Sequence, residues 1–230
     1  MKTIEFKTRD GIPCRARPLC ADDADHLIGF GSRLSERSKL LFCPYPWGDP
    51  DRLRQSVEQA IKNSVDGTDA SFLVFGPDQQ AIGHFFLWKA GGNAVSKRNG
   101  VQVPELGIAL ADEYHGRALG LQMVAHLQGV AEDMGNHGIE LTTASENDAA
   151  WKLYAKAGFE YMGMIQNPLE VDVTEAAAGS AVALNFRKER QMAYVINGSH
   201  RADVLEYLKG KRDAFEAYAR AATRNRAIAK

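Results

Sequence analysis

The sequence lacks the features that mark several common protein classes. Lys and Arg total 28 against 29 for Asp and Glu in 230 residues, so the basic excess of a nucleic-acid binder is missing. No stretch is apolar for long enough to cross a membrane. The first residues, MKTIEFKTRDG, lack the apolar core of a signal peptide. We therefore expect a cytoplasmic globular protein with no nucleic-acid and no membrane partner.

Cysteine is also scarce. The chain has Cys14, Cys20 and Cys43, whose spacing fits neither a metal-ligand motif nor a redox motif. An odd number of cysteines also argues against a disulfide framework. We therefore predict no metal site.

Hydrophobic periodicity divides the rest of the chain into strands and helices. Helices are predicted over 22–42, 49–64, 119–134, 147–157 and, as one helix or a pair, 200–224. Strands are predicted over 12–19, 71–76, 81–89, 105–111, 139–145, 158–165, 183–189 and 191–196. Strands and helices alternate only in the second half, which predicts a mixed sheet with helices on its faces.

One turn combines glycine with a helix start. In EYHGRALGLQMVAHL, residues 113–127, two glycines precede an apolar helical pattern. The first N–H groups of a helix have no partner within the helix, and glycine lets a phosphate approach them closely. The turn lacks the Lys-Ser/Thr ending of a nucleotide-triphosphate loop and the three glycines of a dinucleotide fingerprint. Two interpretations stay open: a tight turn, or a phosphate site made of backbone amides.

The surroundings of this turn resemble a known family. ELGIALADEYHGRALGLQMVAHL, followed by SENDAAWKLYAKAGFEYMG, is similar to the two acetyl-CoA blocks of the GCN5-related N-acetyltransferase (GNAT) family, in the same order and at the same separation. The first block of that family has Gln or Arg, then Gly, then Gly or Ala, where this chain has His115, Ala118 and Gly120. The first two positions depart from the family pattern. The resemblance covers about residues 105–163.

The resemblance implies a fold and an activity. The fold would be α/β (α+β), with a mixed, mostly antiparallel central sheet, splayed strands and flanking helices. It would form a domain over 1–198. The helical pattern from residue 200 onward, which lies outside the resemblance, predicts a C-terminal helical extension over 199–230. The activity would be acetyl-CoA-dependent acetylation of a primary amine, on a small metabolite or on a protein lysine or N-terminus. A non-catalytic acyl-CoA-binding module of the same fold is the alternative, and a homodimer is possible.

The resemblance also implies where acetyl-CoA binds. The pantetheine arm would lie between two strands that splay apart, the first of them 105–111, and the amides of 116–121 would hold the pyrophosphate. The residues implied to bind the cofactor are Ile108, Ala109, Leu110, His115, Gly116, Arg117, Ala118, Leu119, Gly120, Leu121 and Asn147. Asn147 could equally be only the N-cap of the helix that it begins.

Two residues are candidates for acid–base catalysis. Tyr154 could protonate the departing CoA thiolate, or it could simply pack as a half-buried aromatic residue. Glu105 could take the proton of the acceptor amine, whose pKa of about 10.4 leaves it charged at neutral pH, or it could be a solvated carboxylate at a strand end. Thr142 occupies the other family position for a base and cannot serve as one, and Glu140 is expected to point elsewhere. We expect the acceptor to be recognised by the first two helices, the 90–103 connection and the 167–182 loop.

Overall fold

The computed structural model describes residues 2–91, 100–169 and 185–228. Most of the predicted 90–103 connection and of the predicted 167–182 loop, namely residues 92–99 and 170–184, lies outside these ranges.

A single eight-stranded sheet organises the described residues, in the order β1-β2-β3-β4-β5-β6-β8-β7. Every neighbouring pair is antiparallel except β5 and β6, which run parallel. The strands are β1 Ile4–Lys7, β2 Pro13–Pro18, β3 Ala70–Phe75, β4 Ala81–Trp88, β5 Glu105–Leu110, β6 Gly138–Ala144, β7 Glu160–Leu169 and β8 Asn185–Val195. The expected mixed, mostly antiparallel sheet is therefore confirmed. The sequence did not predict β1, and the two strands predicted over 183–189 and 191–196 are the single strand β8, which pairs with β6 and β7 on either side.

Six α-helices flank the sheet in the described ranges. They are α1 Ala24–Ser32, α2 Glu36–Leu41, α3 Pro50–Val65, α4 Leu119–Asp133, α5 Asp148–Lys156 and α6 Arg201–Ile228. The helix predicted over 22–42 is therefore two helices. Ser35 is the reason, because it adopts an extended conformation and its side chain accepts a hydrogen bond from the Ser38 N–H, which begins α2. Within the described ranges, no helix is both long enough and apolar enough to span a membrane.

The two faces of the sheet are covered by different helices. On the first face, α4 and α5 pack against the alternate residues of the central strands, for example Leu106 on β5 and Leu141 on β6. On the second face, α1 and α3 pack on β3 through a cluster that includes Phe30, Val57 and Leu73. The side chains of Glu105 and Glu140 belong to the second face, because residues alternate between faces along a strand.

The C-terminal helix α6 covers the other half of the second face. Val204 and Leu208 are buried with Ala193 of β8, and Arg201 forms a two-pronged ion pair with Glu160 at the start of β7. The expected C-terminal helix is confirmed as one continuous helix, which packs on the sheet. The domain boundary at residue 198 stays a prediction.

Candidate active site

The parallel strands β5 and β6 separate almost as soon as they meet. They pair at one position only, Glu105 with Glu140, whereas β5 pairs with β4 along its whole length, from Glu105 to Leu110. Residues 107–110 are consequently half-buried, although they lie in a central strand. Beyond the first pair, the edge of β5 that faces β6 carries backbone groups with no ladder partner, and such groups require a substitute. Ile108, Ala109 and Leu110 all lie along this opening.

The turn after β5 presents unpaired amides at the start of α4. Gly116 and Ala118 both have positive φ, 71° and 68°, and no side chain caps α4. Among the described residues, no hydrogen bond uses the N–H of Gly116, Arg117 or Ala118. These donors add to the partial positive charge of a helix N-terminus, so the turn is suited to an anion.

The side chains of the turn are mostly engaged elsewhere. His115 donates its Nε2–H to the Leu110 carbonyl at 2.9 Å, and this contact holds the turn against the end of β5. The Arg117 guanidinium lies 3.6 Å from Asp10 and stacks over the Tyr114 ring. Leu119 is completely buried, backbone included, so it presents no exposed atom to a ligand in this structure.

Gly120 is a packing glycine. A Cβ at this position would lie 3.1 Å from a methyl group of Leu153 on α5 and 3.8 Å from Ile108. The small residue therefore lets α4 approach α5 closely, beside the opening between β5 and β6.

The two predicted residues of α5 lie two turns apart. Asn147 caps the helix, with its Oδ1 accepting the Ala150 N–H at 3.2 Å, which leaves the Nδ2 donors available. Tyr154 is buried beside Phe159, at 5.7 Å between ring centroids. Burial raises the pKa of Tyr154 above its ordinary value. An ordinary phenol has a pKa of about 10 and a thiol about 8.5, so proton transfer from phenol to thiolate is uphill by about 2 kcal/mol. Burial makes the Tyr154 phenol a weaker acid still.

Glu105 is held in an ion-pair network with Glu140 and Lys211. The Lys211 Nζ lies 3.2 Å from Glu105 and 2.8 Å from Glu140. The expectation that Glu140 points elsewhere is therefore wrong: the register pairs it with Glu105, so both side chains share one face. Burial favours the neutral amine of Lys211, yet the two carboxylates outweigh it and raise the pKa of this lysine. Burial also raises the pKa of Glu140, against the attraction of Lys211.

Aromatic side chains line the second face beside the opening. The Phe86 ring stacks on Trp88 at 4.6 Å and lies directly over Gly107, where a Cβ would come within 2.3 Å of the ring. His84 is buried and donates Nδ1–H to the Phe72 carbonyl, so its Nε2 accepts from the Tyr45 hydroxyl. Burial lowers the pKa of His84 to about 4, so this histidine is neutral and structural.

Asp112 ties the turn after β5 to the start of α2. Its carboxylate accepts hydrogen bonds from the Ser35 N–H at 3.0 Å, the Ser35 hydroxyl at 2.8 Å and the Ser38 hydroxyl at 2.7 Å. Burial acts to raise the pKa of Asp112, but these donors outweigh it and lower the pKa to about 2. Arg187 makes a second link on this face, because it contacts both Glu189 on β8 and the Leu40 carbonyl of α2.

Sequence reasoning missed Lys211 and Asp112 and misjudged Glu140. A glutamate inside the apolar strand GIELTTA is a signal for Glu140, because a buried carboxylate needs a partner. No local signal pointed to Lys211, which is 106 residues from Glu105. Over the ranges that the structure describes, no group of three or more His, Cys, Asp or Glu side chains could hold a metal ion.

Comparison with known proteins identifies a family. Residues 15–160 match the sequence model of the protein family described as the acetyltransferase (GNAT) domain. The fold is similar to the GNAT domain of S. lividans PAT, with 18% identity, a TM-score of 0.60, and coverage of 84% of this chain and 96% of that one. It is also similar to a ribosomal-protein-S5-alanine acetyltransferase from Vibrio fischeri, with 15% identity, a TM-score of 0.61 and coverage of 86% and 98%.

A third similar structure contains ligands. It is a spermidine N-acetyltransferase from Vibrio cholerae in complex with CoA and spermine, with 18% identity, a TM-score of 0.58, and coverage of 79% of this chain and 95% of that one. At these identities the three structures show the fold alone. Comparison with curated protein sequences gives no significant match.

Proposed function

The chain belongs to the GNAT acetyltransferase family, and from that premise we propose that it transfers an acetyl group from acetyl-CoA to a primary amine. The observation that carries this proposal is the opening between β5 and β6, where two parallel strands meet at the single pair Glu105 and Glu140. A sheet keeps such an opening in its centre only if something else satisfies the freed backbone groups. An extended chain with amide groups, such as pantetheine, has the shape and the hydrogen-bonding groups to do so.

The residues around the opening fit acetyl-CoA, which would supply the activated acetyl thioester. The backbone of Ile108, Ala109 and Leu110 would bind the pantetheine arm, and because His115 already donates to the Leu110 carbonyl, Leu110 would bind it through its N–H. The amides of the turn at 116–121 would hold the pyrophosphate, because they combine unpaired donors with the start of α4. Asn147 would offer the Nδ2 donors that its capping role leaves available.

The acceptor would approach from the second face, where Glu105 lies. In the reaction, the amine nitrogen forms a bond to the acetyl carbon and the bond from that carbon to sulfur breaks. Glu105, directly or through a water molecule, takes the proton that the ammonium must lose, and Tyr154 gives a proton to the sulfur. Because Lys211 already contacts Glu105, the incoming amine must share this carboxylate with Lys211 or displace it.

The alternative is an acyl-CoA-binding module without turnover. His115 and Ala118 depart from the family motif, and Lys211 occupies the candidate base, so both observations keep this alternative open. The deciding experiment measures CoA release from acetyl-CoA with a panel of primary amines and N-terminal peptides, after acetyl-CoA binding has been shown by calorimetry. Binding without release for any acceptor would favour the module.

A pair of substitutions at Ala118 tests the phosphate site. The side chain is exposed and the backbone already has positive φ, so Ala118→Glu and Ala118→Gln differ only in charge. A negative charge at a helix N-terminus favours folding and repels a phosphate, so Ala118→Glu should bind acetyl-CoA about tenfold more weakly than Ala118→Gln, equivalent to ~1.4 kcal/mol. Equal affinities would remove the pyrophosphate from this turn.

We also propose a cytoplasmic location. The three cysteines are all free, and Cys20 and Cys43 are exposed. Exposed unpaired thiols are typical of a reducing compartment. Alkylation of unreduced protein purified from its native cells would test this, and oxidised Cys20 and Cys43 would contradict it.

A further inference from the structure

A large cavity lies between α6 and the beginnings of β5 and β6. Its volume is about 790 Å³, within the range of small-molecule sites. Glu105 and Glu140 form one side, and Asp203, Glu206 and Tyr207 line it from α6. The cavity therefore connects the candidate base to the surface along the C-terminal helix.

Carboxyl groups outnumber lysines in this cavity. Glu105, Glu140, Asp203 and Glu206 line it, against Lys89 and Lys211. Lys211 is already shared by the two inner carboxylates. On the α6 side, the Asp203 carboxylate lies 3.9 Å from Nδ1 of His200, and Glu206 forms no ion pair within the described residues. Among the described residues, the α6 side of the cavity is thus an acidic wall on which no lysine or arginine pairs with Asp203 or Glu206.

One buried carboxylate oxygen in the cavity makes no hydrogen bond to the residues that the structure describes. The Glu140 side chain is only 2% exposed, and Lys211 occupies its Oε1. Its Oε2 makes no hydrogen bond in the part of the chain that the structure describes. The buried amide of Gln191, whose polar atoms are also unpaired, lies beside this carboxyl group and acts to lower its pKa. The donor that this oxygen needs can come from Gln191 or from an N–H or O–H group of a ligand in the cavity.

The spacing along α6 sets the length of the ligand that fits. Glu206 and Asp203 precede Lys211 by five and eight residues, which is about 7 and 12 Å along the helix axis. A ligand with one cationic end at Glu105 and Glu140 and another at the acidic wall would need a flexible linker of this length. The Tyr207 ring offers an apolar surface for such a linker.

We propose that this cavity binds the acceptor, and that the acceptor is a linear aliphatic amine with two or more positive charges. This inference rests on the proposed acetyl transfer. One amino group lies at Glu105, where it loses its proton and attacks the thioester carbon while sulfur leaves as CoA. A second ammonium group lies at Asp203 and Glu206 and selects polyamines over monoamines.

The test compares spermidine with butylamine. The parent protein should acetylate spermidine with a higher kcat/KM than butylamine, and the double variant Asp203→Asn/Glu206→Gln should lower that ratio about tenfold, since each partly exposed ion pair changes binding roughly two- to fivefold. The double variant Asp213→Asn/Glu216→Gln removes the same charge from α6 outside the cavity, so it should leave the ratio unchanged. Equal effects of the two double variants would overturn the proposal.

Calorimetry separates failure of this inference from failure of the proposed function. Spermidine should bind the parent protein in the absence of acetyl-CoA, when no reaction can occur. Asp203→Asn/Glu206→Gln should weaken that binding about tenfold, because it removes the same two partly exposed ion pairs. CoA release with peptides or butylamine, combined with no binding of spermidine, would overturn the inference and leave acetyl transfer intact. Spermidine binding that depends on Asp203 and Glu206, with no CoA release for any amine, would support the site and refute the transferase.

Discussion

Replacing Lys211 with Met tests the buried ion-pair network most directly. The methionine has a similar length, keeps the apolar packing of the lysine stem and removes the charge that faces Glu140 and Glu105. Glu105 is 32% exposed and keeps contact with water, whereas Glu140 is 2% exposed and has almost none. Lys211→Met should therefore force Glu140 to bind a proton in the folded state.

The size of the effect follows from that proton. Holding Glu140 neutral at pH 7, when its unfolded pKa is about 4.3, costs at most about 3.7 kcal/mol, because one pKa unit is 1.36 kcal/mol. We expect a loss of about 3 kcal/mol at pH 7, close to the ~3–5 kcal/mol typical of a broken buried pair. This corresponds to a fall in Tm of roughly 6–12 °C for a chain of this size.

The stability lost in Lys211→Met should also depend on pH, and it should be larger at pH 7 than at pH 5. A carboxyl group whose folded pKa is raised contributes stability below its unfolded pKa and loses it as pH rises towards the folded pKa. The deficit of Lys211→Met should thus shrink to about 1 kcal/mol at pH 5, from the same 1.36 kcal/mol per unit. Urea unfolding followed by circular dichroism at pH 5 and pH 7 measures both values.

Two controls make this prediction refutable. Lys209→Met changes an exposed lysine of the same helix and should alter stability by less than about 0.5 kcal/mol. In a Glu140→Gln background, Lys211→Met should lose less than about 1 kcal/mol, because the buried charge is gone and the remaining pair with Glu105 is partly exposed. A deficit that is the same at both pH values, or that persists in the Gln background, would show that Lys211 does not neutralise Glu140.

Four further substitutions test the site and its supports. Tyr154→Phe should lower kcat by about 10²–10⁴-fold with little change in acetyl-CoA affinity, and equal turnover with chemistry rate-limiting would make this residue structural. Glu105→Gln should lower kcat/KM about 10²-fold at neutral pH, with partial recovery at high pH; parallel pH profiles would contradict a base role. Ala118→Gly should raise the free energy of unfolding by up to about 1 kcal/mol by relieving positive φ, read by urea titration, whereas a loss would mean that the turn is unstrained. The pKa of Asp112 is lowered to about 2, so the stability that this carboxylate contributes is present above pH ~4 and is lost as pH falls towards 2. Asp112→Asn should therefore make the free energy of unfolding depend less on pH between pH 5 and pH 2.

The local elements followed from the sequence because they depend on local physics. The weak alternation of IPCRARPL predicts a strand, and ELGIALA predicts another. The structure has β2 in the first segment and β5 in the second. The helical spacing from Leu119 onward and the capping Asn147 likewise predict α4 and α5, where the buried stripe and the cap are found. The break between α1 and α2 was missed, because Asp112, 77 residues from Ser35, stabilises it from the turn after β5.

The arrangement of charges around Glu105 is a property of the tertiary structure alone. By itself, the sequence determined the strand that carries Glu105, the glycine-containing turn that follows it and the helix of Asn147 and Tyr154, because each depends on neighbours within a few residues. It could not show that β5 and β6 part after one pair, nor that α6 lies across their beginnings and brings Lys211 to two carboxylates. A salt bridge between residues 71 or 106 positions apart leaves no periodic trace in a sequence, since long-range packing of the sheet and the C-terminal helix alone brings its partners together.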